Sequence, residues 1–252
     1  KMEIFKVLSL LLAYPEQSTL DHCELMKQVV ASDNHLDDDN KTRLVSFIDL
    51  LSQTDLLDSQ ESYLNLFSRG SSTSLLLFEH VHGQSRDRGQ AMVDLLDRYQ
   101  QHGFEIAAKE LPDYLPLFLE FLAHGESEQS LEWLNEVNHI LAILEERIKQ
   151  RDSNYSQLLT ALLSLVDEVE GRDALKNKVA AEKPDYTAEA MDEVWEEESV
   201  KFAATDAGCQ QTNDHSESYS EDVNIKWMDV APTKKSSKAS NVQSSNSQRV
   251  GG

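Results

Sequence analysis

The chain has 252 residues, with 23 Lys+Arg against 45 Asp+Glu, a formal net charge of −22 and a pI near 4.6. So negative a surface repels phosphates, which excludes a general nucleic-acid role and argues against docking on anionic lipid. Two distant cysteines, Cys23 and Cys209, form neither a disulfide framework nor a Cys-x-x-Cys metal motif, and a cytoplasmic location follows as the expectation.

Nine glycines and five prolines are few for this length. Strand-rich folds spend many such residues on turns. No two-residue alternation of polarity persists, so the expected class is all-α, a single helical-bundle domain over 1–205. A first amphipathic helix is expected over Met2–Ala13, stopped before Pro15, and a second over Ser18–Ala31. Asp37-Asp38-Asp39 places negative charge at the start of a third that runs to Leu51. Asp58-Ser59-Gln60-Glu61 reads as a capping box opening the helix of Tyr63, Leu66 and Phe67. Asp87–Gln101 follows, ended by Gly103. Leu111–Ala123 is short and apolar, with two prolines that predict a first-turn start and a kink. Ser127–Arg151 is the longest expected helix, with Leu131, Leu134, Leu141, Leu144 and Ile148 on one stripe. Ser153–Glu170 and Thr187–Ala203 complete the set, Thr187 acting as N-cap. The longest uncharged stretch, Ser153–Val166, falls short of the ~20 residues that cross a bilayer.

Composition then shifts. Residues 182–222 hold 13 Asp+Glu and 2 Lys+Arg, a net −11, whereas 223–252 hold 5 Lys+Arg and 1 Asp, a net +4. The last segment, rich in Ser, Asn and Gln, lacks the apolar surface that would offset its ordering entropy. Residues 206–252 therefore read as a flexible polar tail.

Common enzyme motifs are missing. No Gly-x-Gly-x-x-Gly can be drawn through the nine glycines. Gly83 and Gly89 are one residue too far apart for a phosphate loop, and Gln90 stands where Lys is needed. Neither Gly-x-Ser-x-Gly nor His-Glu-x-x-His occurs. His80 and His82 share a face only in extended chain and have no third ligand at fixed spacing. Hydrogen bonding to backbone carbonyls is the expected role. Arg86 and Arg88 flank Asp87 and suit an anionic contact, or pairing with nearby carboxylates. Asp113 and Glu120, seven apart, share a helical face, where solvated or capping roles outweigh catalysis.

Two regions resemble a known family. Tyr63-x-x-Leu66-Phe67, the run from Ser74 to Gly83 (Ser-Leu-Leu-Leu-Phe-Glu-His-Val-His-Gly) and the run from Ser85 to Leu96 resemble the delta-subunit assembly chaperones of respiratory nitrate reductase. These belong to a wider group of chaperones for molybdenum-cofactor enzymes. Leu111-Pro-Asp-Tyr-Leu115 matches that group's Pro-Asp-His-Leu element, with Tyr114 where His is usual. Ala190–Glu198 is similar to the family's late acidic helix. The resemblance covers Met2–Phe202 and implies no catalysis and no cofactor of the chain's own. It implies a cytoplasmic chaperone that binds the apo catalytic subunit of nitrate reductase through its N-terminal segment until molybdenum cofactor, and the iron–sulfur centre, are inserted. Proteins of molybdenum-cofactor biosynthesis are further candidate partners; nucleic acid and membrane insertion are not expected. The candidate client-peptide residues are Tyr63, Leu66, Phe67, Phe78, His82, Arg86, Asp113 and Tyr114. The alternatives are a twin-arginine signal-peptide chaperone for another molybdoenzyme, a metal-dependent hydrolase using His80 and His82 with Asp113 or Glu120, and a structural subunit of a membrane complex.

Overall fold

Burial explains why the first helix, α1 (Glu3–Leu12), lies at the centre. Ile4, Phe5, Val7, Leu8, Leu11 and Leu12 are all buried, so apolar residues occupy most of its circumference. Its neighbours must therefore come from more than one side. They are α8 (Leu115–His124), which is equally apolar, and α3 (Cys23–Ser32), with α11 (Ser156–Leu163) completing the ring. Ser9, buried on α1, donates to the Pro116 carbonyl at 2.7 Å and so satisfies a polar group inside the α1–α8 seam.

This computed structural model describes residues 1–82, 86–106 and 110–192. Every regular element among them is a helix, and the one β-type pairing is an isolated antiparallel bridge, Leu76 to Tyr114. No helix among the described residues is long and apolar enough to cross a membrane. The expected tail over 206–252 lies outside the described residues.

Several expected helices are divided. The Ser18–Ala31 segment is α2 (Gln17–Asp21) and α3, broken at His22. Ser127–Arg151 is α9 (Ser127–Glu136) and α10 (Asn138–Gln150), broken at Val137 with φ −106° and ψ 6°. Apolar spacing continues across both breaks, so periodicity alone does not show them. The third helix, α4 (Asp38–Gln53), opens as expected on its acidic run, with Asp37 accepting from the Asn40 amide. The cap of α5 (Leu56–Phe67) is Asp55, which accepts from the Leu57 amide, rather than the Asp58–Glu61 box. Ser59 is instead buried within that helix. Leu111–Tyr114 is a turn, not helix, so Pro112 precedes α8 and Pro116 sits in its first turn, where proline produces no kink. α11 ends at Leu163, well before Glu170.

Two helices have no counterpart in the sequence reading: α6 (Glu79–His82) and α12 (Arg172–Ala180). α7 (Arg86–Gln101) lies between α6 and α8 in the chain, and Gly103 follows it at φ +69°. Glu145, fully buried on α10, explains how α12 is held. Its carboxylate takes Thr160 of α11, Lys149 and Arg172 of α12. The Thr187 cap is present, its hydroxyl accepting from the Ala190 amide at 3.2 Å. The remainder of that expected helix, beyond Asp192, lies outside the described residues.

Candidate functional site

The turn before α8 organises the site. Leu77 N–H donates to the Asp113 carbonyl at 2.9 Å, and Leu115 N–H to the Leu75 carbonyl at 2.8 Å. Strand-like pairing thus fixes the segment carrying Phe78 against the start of α8. Asp113 reinforces it. The residue is 0% exposed, and its Oδ2 accepts from Phe78 N–H at 3.2 Å and Arg88 Nη2 at 3.3 Å. One carboxylate therefore ties α7, the 74–78 segment and α8 together. The arginine that turns inward is Arg88; Arg86 is exposed at the first residue of α7. The Arg-Asp-Arg triplet signals an arginine here, but only the rotation of α7 selects which one.

Tyr63, Leu66 and Phe67 share one side of α5. Tyr63 is buried, and its hydroxyl donates to the Leu12 carbonyl at 3.1 Å, while the Tyr114 hydroxyl lies 3.4 Å away. Its ring meets Phe67 at 4.7 Å, Tyr14 at 5.6 Å and Tyr155 at 6.0 Å. Burial pushes the Tyr63 and Tyr155 phenols far above the usual tyrosine range, with the nearby Tyr114 phenol adding to the Tyr63 shift. The Tyr63 hydroxyl therefore acts as a neutral donor. Tyr114, the residue in the histidine position of the motif, is half-buried, and burial raises its phenol too. It therefore offers a fixed neutral hydroxyl where an imidazole would titrate.

The eight candidate residues do not line one groove. Phe78 and His82 line a cavity of about 320 Å³ between α6, α7, α8 and the α9–α10 pair. Its floor is Leu77, Phe78, Leu95, Phe118, Trp133 and Ile140; its rim carries Asp94, Arg98, Glu136 and His139. Arg98 bridges to Glu136 at 2.7 Å and lies 5.6 Å from the Trp133 ring centre. Trp133 in turn stacks on Phe121 at 4.8 Å. Leu66 lines a different cavity, of about 430 Å³, with Phe47, Leu51 and Tyr155. Tyr63 and Asp113 are buried and act by positioning. Trp133, Leu95 and Ile140 were not among the expected site residues, and nothing in their spacing assigns them to this groove.

Among the described residues the histidines are not grouped with two further metal-type ligands. His80 Nε2 lies 2.7 Å from the Ser74 carbonyl, the backbone role expected of it, and Nδ1 lies 2.9 Å from Arg147 Nη1. Both ring nitrogens are thus engaged, and burial lowers the imidazole pKa. No cluster of three or more His, Cys, Asp or Glu suited to a metal occurs among the described residues.

Comparison with known proteins decides the family. The nitrate reductase delta subunit family matches residues 33–161, the span that contains every candidate residue. The chain belongs to this family. A relative from Escherichia coli K12, named nitrate reductase molybdenum cofactor assembly chaperone NarJ, is 46% identical over 203 residues, covering 81% of this chain and 86% of its own length. NarW of the same organism, named a probable chaperone of the same kind, is 40% identical over 233 residues, covering 91% and 98%. A Bacillus subtilis relative, named a probable NarJ, is 29% identical over 177 residues, covering 70% and 95%.

Proposed function

We propose that this chain is a non-catalytic assembly chaperone for a respiratory nitrate reductase. It binds the apo catalytic subunit through that subunit's N-terminal segment and holds it ready for molybdenum-cofactor and iron–sulfur insertion. It then leaves, and is absent from the mature enzyme. The body 1–205 does the binding in the cytoplasm, with 206–252 as a polar tail. The names of the NarJ and NarW relatives support the chaperone role. The observation that carries the client site is the Phe78–His82 groove, with its apolar floor and charged rim. Such a groove suits the apolar face of an amphipathic helix. The chain's surplus of carboxylates speeds encounter with a basic segment and discourages nucleic acid.

Calorimetric titration with a peptide from the catalytic subunit's N-terminus tests this, with an unrelated twin-arginine signal peptide as control. Saturable binding with a negative heat-capacity change, selective for the first peptide, is expected. Phe78→Ala should weaken it at least tenfold, since truncating a central aromatic anchor costs about 2 kcal/mol or more. Equal binding of both peptides, or no effect of Phe78→Ala, overturns the assignment of client or groove.

A further inference from the structure

The segment after α12 runs over the surface as a docked peptide. Glu182 takes a two-pronged contact from Arg147, Nε to Oε2 at 2.8 Å and Nη2 to Oε1 at 2.7 Å. Asp185 accepts from both the amide and the hydroxyl of Ser72, at 2.7 and 2.6 Å. The Tyr186 ring lies 4.2 Å from the Arg151 guanidinium carbon. Gly70, at φ +81°, leaves the room: a Cβ there would stand 2.4 Å from Asp185 Cγ. Arg–carboxylate forks and cation–π stacking are specific recognition devices, not incidental surface pairs.

Both arginines face two ways. Arg147 Nη1 also reaches His80 Nδ1 at 2.9 Å, and His80 lies on α6 between Phe78 and His82. Arg151 Nη1 reaches the Leu66 carbonyl at 2.8 Å and Thr73 Oγ1 at 2.8 Å, and Nη2 also contacts the Asn65 carbonyl. Strap, arginines and the 70–82 segment therefore form one connected network that ends at the groove wall.

We propose that residues 182–186 are a built-in peptide ligand for Arg147 and Arg151, and that their docking holds the Phe78–His82 wall in its groove-forming position. Arg147 and Arg151 are thus positioning residues for client binding. Release of the strap and loss of client affinity are two readouts of one equilibrium. This rests on the client reading above.

The test compares the full chain with Glu182→Ala/Asp185→Ala. Hydrogen exchange of the amides of 74–82 and client-peptide affinity are both measured. Exchange at 74–82 should rise at least fivefold, with α1 and α8 unchanged, and peptide affinity should fall at least fivefold. Faster exchange confined to 180–192 overturns the coupling. So does faster exchange at 74–82 with unchanged affinity. Failure of the unaltered chain to bind the peptide defeats the client reading alone, and the exchange arm still decides whether the strap holds the wall.

Discussion

Asp113→Ala should unfold the protein more easily than any surface change, and the loss can be worked from the structure. Asp113 is fully buried and Arg88 is 14% exposed, with the carboxylate shared between Arg88 and the Phe78 amide. Removing one partner of a buried pair costs about 3–5 kcal/mol. The residual exposure of Arg88 lets its guanidinium reach water, which favours the lower end, about 3 kcal/mol. For a body of this size that corresponds to roughly 6–12 °C in Tm. Arg88→Met should cost a similar amount, because it strands a buried carboxylate. The double variant Arg88→Met/Asp113→Leu leaves only the Phe78 amide unpaired, worth about 1–3 kcal/mol. Urea unfolding followed by far-UV circular dichroism measures all three. A double variant far more stable than the sum of the singles is expected. Additive losses, or a loss below about 1 kcal/mol for Asp113→Ala, would refute the pairing argument.

The state of His80 predicts a pH dependence. Burial lowers its pKa first, opposed by the Ser74 carbonyl and aided by Arg147. Below the ordinary imidazole value of about 6.5 the unfolded chain binds the proton more readily than the folded one, so stability is complete above that pH and falls as pH drops toward the lowered value. The urea midpoint should decline between pH 7.5 and 5.5, and His80→Gln should remove part of that decline; an identical decline in the variant refutes the assignment. Tyr63→Phe should cost about 1 kcal/mol through loss of its bond to the Leu12 carbonyl. Tyr114→Phe should cost about half that, because the residue is only half-buried and the hydroxyl's partner among the described residues is Tyr63. The reverse order in urea unfolding would show that the α1 anchor lies elsewhere.

Sequence by itself determined the all-helical class, the acidic character and the family. Sparse glycine, absent alternation and the Tyr63, Phe78 and Leu111 motifs are local features that survive without coordinates. The Thr187 cap and the acidic start of α4 were legible for the same reason, since each acts within its own turn, whereas the capping role of Asp37 itself came with the structure. What tertiary structure decided were the breaks at His22 and Val137, the turn over Leu111–Tyr114, and the choice of Arg88 over Arg86. It also placed Phe78 and His82 on one cavity and Leu66 on another, and brought Arg147 and Arg151 to the candidate site from α10 and the turn after it. Each depends on partners distant in sequence. The hydrophobic pattern specifies which face of a helix is buried, but not which neighbour covers it or which polar side chain meets a buried partner.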